Sequence, residues 1–81
     1  MSGLNTEVKR NQVSYHVQTE DKGHGKNYVE TVIFRSGKVL SSRKSSYANI
    51  ISHPDLKQKI QEMIETQHQE CLKEISEGKF D

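Results

Sequence analysis

His68 and Cys71 stand three residues apart, a spacing that places both on one face of a helix. An imidazole and a thiolate are zinc ligands, and two such pairs in a dimer would complete a tetrahedral site. The same groups also make a thiol and its base, yet neither an oxyanion hole nor an orienting acid is recognisable beside them. The other histidines, His16, His24 and His53, follow no metal-ligand spacing. The pair therefore reads as a surface histidine beside a small buried thiol. No metal, no cofactor and no enzymatic activity are expected.

A second constellation is basic. Arg35, Lys38, Arg43 and Lys44 fall on one hairpin with Tyr28, Phe34 and Tyr47 nearby. Cations track phosphates and aromatic rings stack on unpaired bases, so this mixture suits single-stranded nucleic acid. Its plainer meaning is a solvated strand edge guarded by lysines. The loop Asp21-Lys22-Gly23-His24-Gly25-Lys26 offers glycine N–H groups to an anion, but it lacks the P-loop spacing and joins two strands. Arg43-Lys44-Ser45-Ser46 has the look of a basophilic kinase target, on a strand where kinases act poorly.

The elements that position these residues follow from periodicity. Residues 12–19 alternate, with Val13, Tyr15, Val17 and Thr19 on one face. Residues 28–35 are apolar on both faces: Val29 and Ile33 on one, Tyr28, Val32 and Phe34 on the other. Such a strand is central or has its second face covered. Ser36-Gly37 makes a tight turn into a third strand, 38–46. Residues 1–11 carry no sustained period and are expected to be a mobile N-terminal segment. The domain is then 12–81.

Pro54 opens a helix expected to run to Glu77, with Ser52 and Asp55 spaced as a capping box. Leu56, Ile60, Met63, Ile64, Cys71, Leu72 and Ile75 form its apolar stripe, and Gly78 its stop. The expected fold is α+β: a three-stranded antiparallel β-meander followed by one long C-terminal α-helix. A helix of that length, about 36 Å, outruns strands of about 27 Å. Its second half should overhang the sheet, and an overhanging apolar stripe needs a cover. A homodimer is expected, joined through that stripe or through the outer face of the 28–35 strand. The alternative is a monomer in which residues 1–10 and Phe80 supply the cover.

Composition narrows the function. The chain has 81 residues, one cysteine and a net charge of +1, which excludes an intramolecular disulfide and a strongly basic nucleic-acid tail. The first 20 residues lack the apolar core of a signal peptide and no run suits a membrane helix, so a cytoplasmic protein is expected. Charge is split: residues 22–44 balance at +5, residues 55–81 at −3.

The stretches Tyr15-His16-Val17-Gln18-Thr19-Glu20-Asp21, Gly37-Lys38-Val39-Leu40 and Arg43-Lys44-Ser45-Ser46-Tyr47, with Gln67-His68 later, resemble a small bacterial domain family to which no activity is attached. The resemblance implies a bacterial cytoplasmic module, and it singles out His16, Gln18, Glu20 and Asp21 as members of its leading motif. On the plainer reading, Glu20 and Asp21 shape a loop and His16 fills a sheet face. The order β-β-β-α is also similar to the coactivator fold that binds single-stranded DNA, in which sheets face DNA and helices pair; fold alone does not imply function. Two functions follow as expectations. The first is a small non-enzymatic interaction or regulatory module acting as a homodimer, with a protein partner. The alternative is a single-stranded nucleic-acid-binding dimer using the basic sheet.

Overall fold

Alternating residues and two tight turns build the sheet. The computed structural model describes residues 3–23 and 25–81. Strands β1 (Gly3–Arg10), β2 (Val13–Asp21), β3 (Tyr28–Arg35) and β4 (Lys38–Ser46) form one antiparallel sheet in sequence order. A single 3-10 turn at Ala48–Ile50 leads into α1, Leu56–Ser76. The architecture is α+β, as the periodicity predicts, and β3, β4 and their Ser36-Gly37 turn lie where the sequence places them. Ser36 and Gly37 have φ of 51° and 82°, the doubly positive pattern of the hairpin turn that matches strand twist.

The meander has four strands, not three. Residues 3–10, expected to be mobile, pair along their whole length with β2, from Gly3 opposite Glu20 to Arg10 opposite Val13. Asn11 and Gln12, with φ of 51° and 66°, make the turn. Met1 and Ser2 lie outside the described residues.

The helix covers one face of the sheet. Tyr15, Val17, Ile33, Cys71 and Ile75 form one buried cluster, with Val8, Val13, Leu72 and Phe80 packed on it. Val29, Tyr47 and Ile64 form a second, flanked by Leu4, Ile50, Leu56, Ile60 and Met63. The second half of the helix does not overhang. Cys71 and Ile75 are 0% and 1% exposed, because β1 widens the sheet beneath them and Phe80 folds back. The cover comes from within the chain.

The helix ends differ from the expectation at one end only. It starts at Leu56, with Pro54 in the preceding turn and no side-chain cap; the Ser52 capping box does not form, and the Asp55 N–H donates instead to His53 Nδ1. The C-terminal stop is Gly78 at φ 80°. Its N–H bonds to Ile75 O, and Lys79 N–H reaches Glu74 O, which is the Schellman arrangement. A Cβ at Gly78 would sit 2.7 Å from Arg10 Nη2, so glycine also makes room for the Arg10 side chain.

That side chain ties the first strand to the last turn. Arg10 donates to both Asp81 carboxylate oxygens and to Ser76 O. Arg35 Nη1 donates to Phe80 O at 2.8 Å, and the Tyr15 hydroxyl donates to the same carbonyl. The bond from Arg10 holds the Asp81 carboxyl below its ordinary range.

Candidate binding face

Cross-strand register sorts every side chain onto one of two faces. With the helix on one side, the other is uncovered. Two rows cross the centre of this outer face: Glu7, His16, Phe34 and Val39; then Asn5, Gln18, Val32 and Ser42. A third row runs Gly3, Glu20, Glu30 and Lys44, with Tyr28 beside Ser46 beyond it. Val32, Phe34 and Tyr28 are half-buried, while Val39 is 66% exposed. The apolar residues form a strip along β3 and the start of β4. Leu40, 41% exposed, is the extra residue of a β-bulge opposite the Ile33–Phe34 step.

The polar groups of this face are largely bonded to one another. The His16 ring meets Phe34 edge to face at 5.9 Å, and its Nε2 donates to Asn5 Oδ1. Gln18 donates to Glu20, and Ser42 to Glu30. Lys22 lies within 3.5 Å of Glu20 and 3.9 Å of Glu30. Lys44 sits 5.1 Å from the centre of the Tyr28 ring. A shallow groove of about 370 Å³ is lined by Glu7, Ser14, His16, Gln18 and Phe34.

The residues singled out from the sequence divide between the faces. His16, Gln18, Glu20, Tyr28, Phe34 and Lys44 share the outer face. Arg35 and Arg43 lie on the helix side, where both are engaged. Arg35 holds Phe80 O and lies 5.8 Å from the Tyr15 ring centre; Arg43 makes a two-pronged pair with Glu74, at 3.1 and 2.7 Å. The Arg43 guanidinium lowers the Glu74 pKa through that bond. Lys38 is exposed beside the hairpin turn. The four cations thus do not form one ribbon. Parity carried this information: Arg35 follows Val29, Thr31 and Ile33 at two-residue steps.

Asp21 points to the helix side and closes the β2–β3 loop. Its Oδ1 accepts from the Gly23 N–H at 2.8 Å and from the Tyr47 hydroxyl at 2.6 Å. Burial, and then this bond, push the Tyr47 pKa up to about 12. The Gly23 N–H that an anion would need is therefore bound to a carboxylate. His24 of this loop lies outside the described residues. A groove of about 570 Å³ runs from Asp21 past Pro54 to Ile60 and Ile64.

His68 is not on the surface; it is 1% exposed. Its Nε2 bonds to Thr6 Oγ1 and its Nδ1 to Thr19 Oγ1, each at 2.8 Å. Thr19 bonds to Thr31, Thr31 accepts from Gln67, and Gln67 also donates to Arg43 O and accepts from Ser45. With both ring nitrogens so engaged, His68 offers nothing to a metal, and the Cys71 thiol beside it has its pKa raised by burial. Among the described residues, no group of three or more His, Cys, Asp or Glu is placed to hold a metal ion. No helix among the described residues is long and apolar enough to cross a membrane.

Neither a protein-family model, nor a curated protein, nor a solved structure matches the chain.

Proposed function

We propose that this chain is a small non-enzymatic interaction module that works as a homodimer and engages a protein partner through its outer sheet face. One observation carries the reading: the helix covers a single face of the sheet, and among the described residues nothing covers the strip of Val32, Phe34 and Val39 on the other face. A face of four strands and eight residues measures about 500 Å² in projection, close to the minimum per partner of a specific interface. Its apolar centre with a polar, internally bonded rim is the usual anatomy of such a surface.

The nucleic-acid alternative has less support. The outer face carries Glu7, Glu20 and Glu30 alongside Lys9, Lys22 and Lys44, so a polyanion meets mixed charge and no basic stripe. Arg35 and Arg43 are committed to Phe80 and Glu74. Sedimentation equilibrium, with a fluorescent single-stranded oligonucleotide titrated at about 50 mM salt, tests both readings. The expected result is a dimer that ignores the oligonucleotide. Salt-sensitive oligonucleotide binding would overturn the protein-binding reading, and a monomer at every concentration would overturn the homodimer.

A further inference from the structure

The sheet has two free edges, β1 and β4, and they differ in kind. β4 carries Lys38, Arg43 and Lys44, all of one sign, and is bent by the bulge at Leu40. A second β4 placed against it would bring cation to cation across an irregular edge. β1 runs without a bulge, and its outer-face charges alternate: Glu7, then Lys9. Among the described residues neither has an ion-pair partner, although Glu20, Glu30, Glu74 and Asp81 all do.

We infer that two copies of the chain join edge to edge through β1, antiparallel and two-fold symmetric, in the register that sets Val8 opposite Val8. The inference rests on the homodimer proposed above and names its interface. In this register Glu7 of each copy stands opposite Lys9 of the other, so a symmetric contact satisfies both charges twice. Shifting the centre to Glu7 sets two carboxylates against each other. Centring on Thr6 faces Glu7 with Asn5 and leaves Lys9 beside Gly3. On the helix side, Val8 meets Val8 at the rim of the cluster holding Cys71, Leu72 and Ile75. The product is a continuous eight-stranded sheet with both helices on one side. Both outer strips lie together on the other side, free for a partner.

Charge reversal tests this, since Glu7 and Lys9 are exposed and tolerate change without unfolding the domain. Sedimentation equilibrium of the full chain should show Glu7→Lys and Lys9→Glu each raising the dimer dissociation constant about tenfold, two cross-strand pairs being turned repulsive. The double reversal should restore it. Val8→Cys in a Cys71→Ala background should oxidise to a covalent dimer, since opposite residues of an antiparallel pair lie about 4.5–5.5 Å apart, within disulfide reach. A dimer indifferent to both reversals but lost in Phe34→Asp would overturn the edge and leave the homodimer standing. Failure of the double reversal to restore association would overturn the register. A wild type monomeric at about 1 mM would overturn edge and homodimer together.

Discussion

His68 sits inside a chain of hydrogen bonds whose direction follows from its donors. Gln67 uses both amide protons, on Thr31 and on Arg43 O, so Thr31 accepts from it and is free to donate onward to Thr19. Thr19 then donates to His68 Nδ1, and the proton on Nε2 goes to Thr6. The reverse direction would strand the Thr31 proton in a buried site. His68 is thus neutral, in one tautomer. A second proton on the ring would force Nδ1 to donate and break the chain. Burial lowers the His68 pKa, and His16, across the sheet, adds to the shift. A histidine with a depressed folded pKa stabilises the fold above its unfolded value, about 6.5, and that contribution drains away as pH falls through the folded value. Stability should therefore decline below about pH 6.5, by at most about 1.4 kcal/mol per unit of pH. Urea titrations between pH 7.5 and 5 would measure it. His68→Leu should flatten the profile; an equally steep one in that variant would place the effect elsewhere. Glu74 and Asp81, both depressed by their arginines, act in the same sense at lower pH, below the ordinary carboxylate range.

At the level of elements, what could be read from the sequence depended on how loudly the turn spoke. Ser36-Gly37 announces the β3–β4 hairpin because glycine accepts positive φ, and the flanking residues are β-branched and aromatic. The β1–β2 hairpin uses the same backbone with Asn11-Gln12, and β1 offers only Leu4, Thr6 and Val8 in alternation. Nothing in such a turn signals itself, although the alternation was there to be found. The cost of the quiet turn is testable. Asparagine visits positive φ readily, but glutamine at φ 66° carries a side chain into a region that disfavours it by about 1–2 kcal/mol. Gln12→Gly should stabilise the domain by about 1 kcal/mol, read as a raised denaturation midpoint at unchanged slope. A lowered midpoint would mean that the Gln12 side chain makes a contribution larger than its strain. His68 was missed for a related reason. Its spacing from Cys71 showed and read as a surface position, but whether a polar residue there is buried depends on Thr6, Thr19 and Thr31, which only the sheet register brings together.

For the whole molecule, the question is what closes the core. Helical periodicity showed an apolar stripe running to Ile75 and thereby a need for cover; it left open whether a second copy or residues 1–10 with Phe80 supply it, and the fold shows the latter. β1 supplies it in three ways. Leu4 and Val8 pack on the two core clusters, Thr6 takes the proton of buried His68, and Arg10 holds Asp81 and Ser76 O. Full burial of an aliphatic side chain contributes about 1.5–3 kcal/mol, and the half-buried Leu4 and Val8 roughly half of that each. A buried imidazole N–H left without an acceptor costs about 1–3 kcal/mol. Losing β1 would thus remove roughly 2.5–6 kcal/mol on these terms, before the Arg10 contacts, against a total of about 4–12 kcal/mol for a chain of this size at 0.05–0.15 kcal/mol per residue. A chain beginning at Gln12 should therefore lose its cooperative unfolding transition, and Cys71, slow to react in the intact protein because it is 0% exposed, should label as fast as in denaturant. Thiol labelling followed by mass spectrometry reads both chains side by side. Edge pairing between copies cannot rescue the truncated chain, because the strand that pairs is the strand removed. If the shortened chain kept a cooperative transition and a protected Cys71, the core would be closed by β2–β4 and the Phe80 turn alone, and β1 would serve association without serving the fold.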